Sequence, residues 1–356
     1  MPELPEVEVV RLGLAPAVTT ATVASVTIFD SRSLRRHDGP AEDFVDRLVG
    51  RTMLAPQRRG KFLWIPLSPV PPSPSPPLSQ PPLSLAASHG IRPVTTTEIQ
   101  EFRDSATVFP GQSLSDADGV PECPEGKRGG GPDTAVPVEA LTVHLGMSGQ
   151  VLLRDRSVDD ARTRIRIDIV HPALGLRRLN FVDQRIFGSM ALDVLVSPVN
   201  GSGPTIPSRV AHIARDPLDE FFDDRAFLTK LAAKRTTIKR AILDQTLISG
   251  IGNIYADEAL WAARIHYNQP TATLGRARGL RLLREVRAVL VRALGEGGTS
   301  FDTQYLNVNG QSGYFARSLN AYGQQGKPCP RCGQPIVRES FMNRGSHLCT
   351  FCQRIR

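Results

Sequence analysis

Four cysteines crowded into the last 28 residues constrain this chain more than any other feature. Cys329-x2-Cys332-x16-Cys349-x2-Cys352 has the spacing of a four-thiolate zinc site. The two knuckles bracket about sixteen residues, enough for a β-hairpin. With a thiolate at all four positions no place is left for water, so one structural Zn2+ is expected. A metal of this kind contributes roughly 10–16 kcal/mol of apparent folding free energy, and a segment this small needs it. Its role would be to fix the hairpin that carries Arg338, Asn343 and Arg344. The fifth cysteine, Cys123, stands alone, so the set argues for a metal site in a reducing compartment, not a disulfide framework.

Charge gives the next constraint. The 43 lysines and arginines exceed the 35 acidic residues by eight, mostly through arginine, which favours a polyanionic partner. No apolar run approaches the ~18 residues of a membrane span, and the N-terminus lacks the basic–apolar–small pattern of an export signal. A soluble, cytoplasmic protein with no membrane partner is expected.

The chain opens on Met1-Pro-Glu-Leu-Pro-Glu-Val-Glu8. Methionine is normally removed when the next residue is small, which would leave Pro2 as a free secondary amine. An α-amino group titrates at about 7.7–8.0, so a sizeable neutral fraction exists at neutral pH. Amines attack carbon electrophiles to give Schiff bases, and Glu3 and Glu6 are within reach as acid, base or positioning groups. The alternative is a processed start whose glutamates merely cap the first helix.

Periodicity then predicts a helix over 7–15, a strand over 23–29, a basic loop at Arg32, Arg35, Arg36 and His37 read as a solvated surface run, and a short helix over 44–48. A strand follows Lys61. Residues 66–137 hold fifteen of the 29 prolines beside Ser- and Gly-rich runs, and they read as a disordered insertion with a short ordered piece near 97–102. A strand resumes at Ala140 and runs into a turn at Gly146-Met-Ser-Gly149; strands follow at 150–153, 163–170 and 176–182, the last leading into a loop at Asp183-Gln-Arg-Ile-Phe-Gly188. A Pro/Gly/Ser linker follows, and then the period becomes helical. A helix capped by Asp223 or Asp224 runs through Ala233, and another opens at Lys234–Arg240. A glycine turn at Ile248–Asn253 precedes a helix through Trp261, and an amphipathic helix covers 280–294. The bare N–H groups of that glycine turn would suit a phosphate.

The expected class is α+β. An N-terminal two-layered antiparallel β-sandwich with flanking helices (1–196) is followed by a linker (197–212), a helical domain (213–318) and a zinc-finger β-hairpin (319–356).

Pro-Glu-Leu-Pro-Glu at the start, His144-Leu-Gly-Met-Ser-Gly149, Gly-Ile-Gly-Asn-Ile-Tyr-Ala in the middle and the four-cysteine finger, in this order, resemble the formamidopyrimidine-DNA glycosylase family in its actinobacterial form. The likeness covers nearly the whole chain except 66–137. It implies a bifunctional glycosylase and abasic-site lyase with a helix–two-turns–helix domain. Its partner would be double-stranded DNA containing oxidised purines or abasic sites, bound by a monomer at the bacterial nucleoid. By the same resemblance Pro2 attacks the sugar C1′, Glu3 acts as acid–base at the ring oxygen, and Lys61 holds a phosphate and donates a proton. Glu6 positions the nucleotide. Met147, Arg185 and Phe187 fill the gap left by the flipped base. His144, Asn253 and Arg344 bind phosphate, and the 309–315 stretch, including Tyr314, covers the flipped base. Ile186 departs from the family pattern, since many relatives carry a second arginine there. An endonuclease VIII-type enzyme for oxidised pyrimidines and a non-catalytic zinc-finger DNA-binding protein are the alternative readings.

Overall fold

A computed structural model describes residues 2–69, 139–198, 203–298, 308 and 313–356. Cys123, the piece near 97–102, most of the predicted insertion and most of the 309–315 stretch lie outside the described residues.

The N-terminal half begins with α1 (Leu4–Val18), β1 (Thr22–Ile28), α2 (Ala41–Leu48), β2 (Gln57–Arg59) and β3 (Phe62–Leu67). It continues with β4 (Glu139–His144), β5 (Gly149–Arg154), β6 (Thr163–His171), β7 (Gly175–Asp183), β8 (Ser189–Val196) and β9 (Ile206–Pro207). The strands form two antiparallel sheets, ordered β1-β6-β7-β5 and β2-β3-β4-β8-β9. Their facing sides share one core. In β6, Ile165, Ile167 and Ile169 point into it at every second position, while Arg166 and Asp168 point away.

The predicted disordered segment starts too early at residue 66. Pro66 and Leu67 complete β3 and pair with Ala140 and Glu139, so the sheet runs on past the first proline. Strand β8 gave no alternation to find, because Ser189–Asp193 is buried at every position. The predicted linker is also more than a connector. Within it β9 pairs with β8, and Ile206 and Val210, with Ile213 just beyond, cover the buried Trp64.

The second half contains α3 (Asp224–Ala233), α4 (Ile238–Leu243), α5 (Asn253–Ala262) and α6 (Arg276–Gly295), then the hairpin β10 (Val337–Phe341) and β11 (Arg344–Leu348). Asp223 caps α3 by accepting the Ala226 N–H at 2.9 Å. Helix α4 starts at Ile238, later than expected, because the chain before it is extended and bridges to Pro270 through Thr237. Leu282, Leu283, Val286, Val289 and Leu290 give α6 one buried stripe.

Helix α1 belongs to both cores. Leu4 packs with α5 and α6 residues, whereas Val7, Val10, Leu14 and Val18 pack inside the sandwich. The Leu4 N–H donates to the Gly250 carbonyl at 2.9 Å. The Arg58 guanidinium strengthens the same seam, reaching both Glu8 and Asp216 at 2.6 Å. The chain's first residues are thus held at the junction of the two halves.

Candidate active site

The start of α1 meets the start of α5. Glu6 accepts the Glu3 N–H at 2.8 Å and so does the capping, and its other oxygen receives the Tyr255 hydroxyl at 2.5 Å. The Glu3 carboxylate, the other half of this capping box, also reaches α5, where it accepts the N–H groups of Gly252 (2.8 Å), Ile254 (3.3 Å) and Tyr255 (3.4 Å). These N–H groups are therefore not bare: an anion sits on them as their geometry favours, and it is a carboxylate of the chain itself. A Cβ at Gly252 would lie 2.1 Å from Glu3 Oε1, so only glycine admits this approach.

Burial raises the Glu3 pKa to about 6; the nearby Lys61 cation opposes the rise, Glu6 adds to it, and the α5 N–H bonds lower it. Burial likewise holds the Lys61 ammonium below its usual range, against the pull of Glu3 and Glu6.

Beside these carboxylates lies a cavity of about 430 Å³ whose walls include Pro2, Lys61, His144, Asn253, Phe341 and Arg344. Five of the predicted site residues thus converge from five separate parts of the chain. Burial, with the cations Arg36 and Arg35, pushes His144 down to about 4, so it is neutral at physiological pH. Its Nδ1 accepts the Gly146 N–H at 3.2 Å, which leaves Nε2 as the protonated donor. The Asn253 amide donates to the Gly345 carbonyl at 3.1 Å, tying the start of α5 to the hairpin that carries Arg344.

Met147, Arg185 and Phe187 are exposed on two loops that behave as one piece. Asp183, fully buried, accepts the Ser148 hydroxyl at 2.6 Å, the Arg185 N–H at 3.1 Å and the Gly188 N–H at 2.6 Å. Gly146, at φ +64°, lies so near the Phe187 carbonyl carbon that a Cβ would come within 2.4 Å of it. Ser148 and Asp183 were not singled out from the sequence; a short polar residue in each turn was the only signal. The basic loop is solvated only in part: Arg32, Arg35 and Arg36 are exposed, but two of its residues are also tied to the fold. His37 is buried and bonded to Asp43 at 3.0 Å, and Arg35 donates to the Ile186 and Phe187 carbonyls. Tyr314 stands apart from the cavity walls and is 64% exposed.

The zinc centre lies against the far end of α5. The Sγ atoms of Cys329, Cys332, Cys349 and Cys352 all lie within 4.8 Å of one another. A tetrahedral Zn–S shell at about 2.3 Å places sulfurs about 3.8 Å apart, so the donor set fits one zinc ion. The Trp261 indole N–H donates to Cys329 Sγ at 3.4 Å, an outer contact of the kind that orients a ligand. Two adjacent buried carboxylates of α5 hold the finger in place. Asp257 accepts Lys239 Nζ at 2.6 Å, the Ser346 hydroxyl at 3.0 Å and the His347 N–H at 2.8 Å. Glu258 accepts the N–H groups of Asn320, Ala321 and Tyr322.

Three family models match this chain: the formamidopyrimidine-DNA glycosylase N-terminal domain over residues 1–79, its H2TH domain over 213–304, and the zinc finger found in FPG and IleRS over 326–355. Together they define a DNA glycosylase of the helix–two-turns–helix, zinc-finger class. The formamidopyrimidine-DNA glycosylase of Leifsonia xyli subsp. xyli is 51% identical over the whole of both chains. That of Streptomyces avermitilis is 46% identical, with 99% of this chain and 98% of the relative covered. The chain belongs to the formamidopyrimidine-DNA glycosylase family. Its fold matches the Lactococcus lactis protein solved with Fapy-dG-containing DNA at TM-score 0.68 and 24% identity, covering 99% of this chain and 100% of that one. The same Lactococcus protein with abasic-site DNA gives 0.67. Among the described residues no helix is long and apolar enough to cross a membrane.

Proposed function

We propose that this DNA glycosylase excises oxidised purines, 8-oxoguanine and formamidopyrimidines, from double-stranded DNA and then cuts the strand as an abasic-site lyase. Pro2, freed by methionine removal, attacks C1′ of the damaged nucleotide. The N–C1′ bond forms as the bond to the base breaks, and the base departs with its electron pair and a proton. Opening of the sugar ring leaves an iminium, which acidifies the neighbouring C–H bonds. β- and δ-eliminations then expel the two phosphates in turn. Glu3, with a pKa near 6, can give a proton to the ring oxygen and take one back near neutrality. Lys61 and Arg344 supply positive charge in the same cavity, and neutral His144 offers an N–H to a phosphate. The base must leave the stack to reach this buried corner. Met147 and Phe187 are the apolar wedge that takes its place, and Arg185 faces the orphaned base.

The observation that carries this reading is the convergence of Pro2, Lys61 and Arg344 on one cavity, with the buried Glu3 next to Pro2 in the chain. Borohydride reduction on 8-oxoguanine DNA is the test. A covalent protein–DNA adduct that Pro2→Gly abolishes is expected. No adduct from the processed wild-type chain would leave only a DNA-binding protein. The relatives' names favour purine lesions over the endonuclease VIII-type reading, and a clear preference for an oxidised-pyrimidine duplex would reverse that choice.

A further inference from the structure

Arg35 has no part in the chemistry above, yet it is mounted with care. It follows a short 3-10 turn (Ser31–Leu34) whose Leu34 is buried in the sandwich core. Two residues on, His37 is anchored by Asp43 at 3.0 Å and by the Leu192 N–H at 3.4 Å. The corner between these anchors presents the guanidinium to the 183–188 loop. One terminal nitrogen donates to the Ile186 carbonyl at 2.6 Å and the other to the Phe187 carbonyl. Successive carbonyls of an extended chain point to opposite sides, so two converging on one planar fork mark a loop folded to fit it.

The loop itself needs holding. Ile186 sits at φ +55°, a left-handed conformation that a β-branched side chain rarely adopts and that persists only where its surroundings impose it. Asp183 secures the inner side of the loop through Arg185 and Gly188. Neither contact reaches the carbonyls of Ile186 and Phe187. Phe187 meanwhile is 46% exposed, so packing alone does not aim its ring.

We propose that Arg35 is a positioning residue for base flipping: its guanidinium fork fixes the Ile186–Phe187 backbone and so holds the Phe187 ring ready to enter the DNA stack. This rests on Phe187 being a wedge. It also makes the residue's effect lesion-specific, because a site that has already lost its base has nothing left to unstack.

The experiment uses the full-length, zinc-loaded protein with Arg35→Ala, Arg35→Lys and Phe187→Ala. Lysine keeps the charge but cannot fork. Three readouts are compared: the fluorescence rise of 2-aminopurine placed beside 8-oxoguanine paired with cytosine, single-turnover excision from that duplex, and nicking of a pre-formed abasic site. Both Arg35 variants are expected to slow the fluorescence rise and excision by about tenfold, the loss of one to two charge-assisted hydrogen bonds, and to nick the abasic duplex at the wild-type rate. Adding Phe187→Ala to Arg35→Ala should cost little more than Phe187→Ala alone. Full activity in Arg35→Lys would overturn the proposal. So would an equal loss on abasic DNA with a salt slope smaller by about one, the mark of a phosphate contact. If Phe187→Ala slows the fluorescence rise and Arg35→Ala does not, the proposal alone fails. If Phe187→Ala leaves the rise unchanged, the wedge reading fails and the proposal with it.

Discussion

The Glu3 carboxylate accepts the Gly252 N–H at 2.8 Å, joining residues 249 positions apart in the chain. This contact places the residue next to Pro2 on the end of a helix from the other half of the molecule.

Its steric tolerance can be tested directly. Gly252 has φ −122°, open to any residue, so alanine there brings no backbone strain. Its Cβ would nevertheless fall 2.1 Å from Glu3 Oε1. Gly252→Ala is expected to reduce 8-oxoguanine excision by about 100-fold, as misplacement of a reacting group by an ångström can, with affinity for undamaged duplex changed only severalfold. Single-turnover rates and titrations on the same DNA check it; wild-type excision would mean that Glu3 needs no such seat.

The raised pKa of Glu3 has a stability consequence. Its folded value, about 6, exceeds the ordinary 4.5, so the fold binds this proton more tightly than the unfolded chain does. The group's favourable contribution is complete below pH 4.5 and is lost as pH rises through 6. The difference is about 2 kcal/mol. Glu3→Gln cannot ionise, so its stability relative to wild type should rise by about that amount between pH 4.5 and 7. Urea unfolding across this range would show it, and a relative stability that is flat or falls with pH would disprove the buried-acid account.

Zinc removal should act on the site through the hairpin. Met342 and Asn343 turn it with φ +47° and +60°, and Arg344 follows directly into the cavity wall. Cys332→Ser is expected to lose the metal and at least tenfold in DNA affinity, as a changed ligand set does, while the sandwich stays folded. Metal content by mass spectrometry and binding titration report both. Retained zinc with normal affinity would break the link between them.

The Lys239–Asp257 pair is fully buried. Asp257→Ala leaves the lysine charge without its partner and should cost about 3–5 kcal/mol. Lys239→Met added to it should recover part of that loss, because no unpaired charge then remains. Thermal unfolding of the three proteins decides; a double variant less stable than Asp257→Ala would refute the pairing argument.

What could be read in the chain before its fold was seen divides along physical lines. The four thiols, the period-two strands such as β6 and the caps such as Asp223 are local signals, and their elements lie where they were expected. Strand β8 escaped notice because burial on both faces erases alternation, and the Trp64 cover because it lies in a Pro-, Gly- and Ser-rich stretch that reads as a linker. The glycine turn at 250–252 was read as a seat of bare N–H groups, and Glu3 as their partner could not be foreseen, since nothing local points to a glutamate some 250 residues away. His37 was taken for a surface group and is buried, and the carbonyl contacts of the exposed Arg35 went unseen, because a loop cation looks the same whether it meets water or a carbonyl. Asp257 and Glu258 are hubs whose partners lie far off in sequence, and no spacing rule reaches that distance.

Helix α1 divides its apolar residues between two cores, Leu4 on one side and Val7 onward on the other. Pro2 lies next to this helix, yet the cavity around it is completed by residues near 250 and by the hairpin beyond 340. On the proposed mechanism a partly made chain would carry that amine with no pocket around it, and base excision would wait until the last domain has docked.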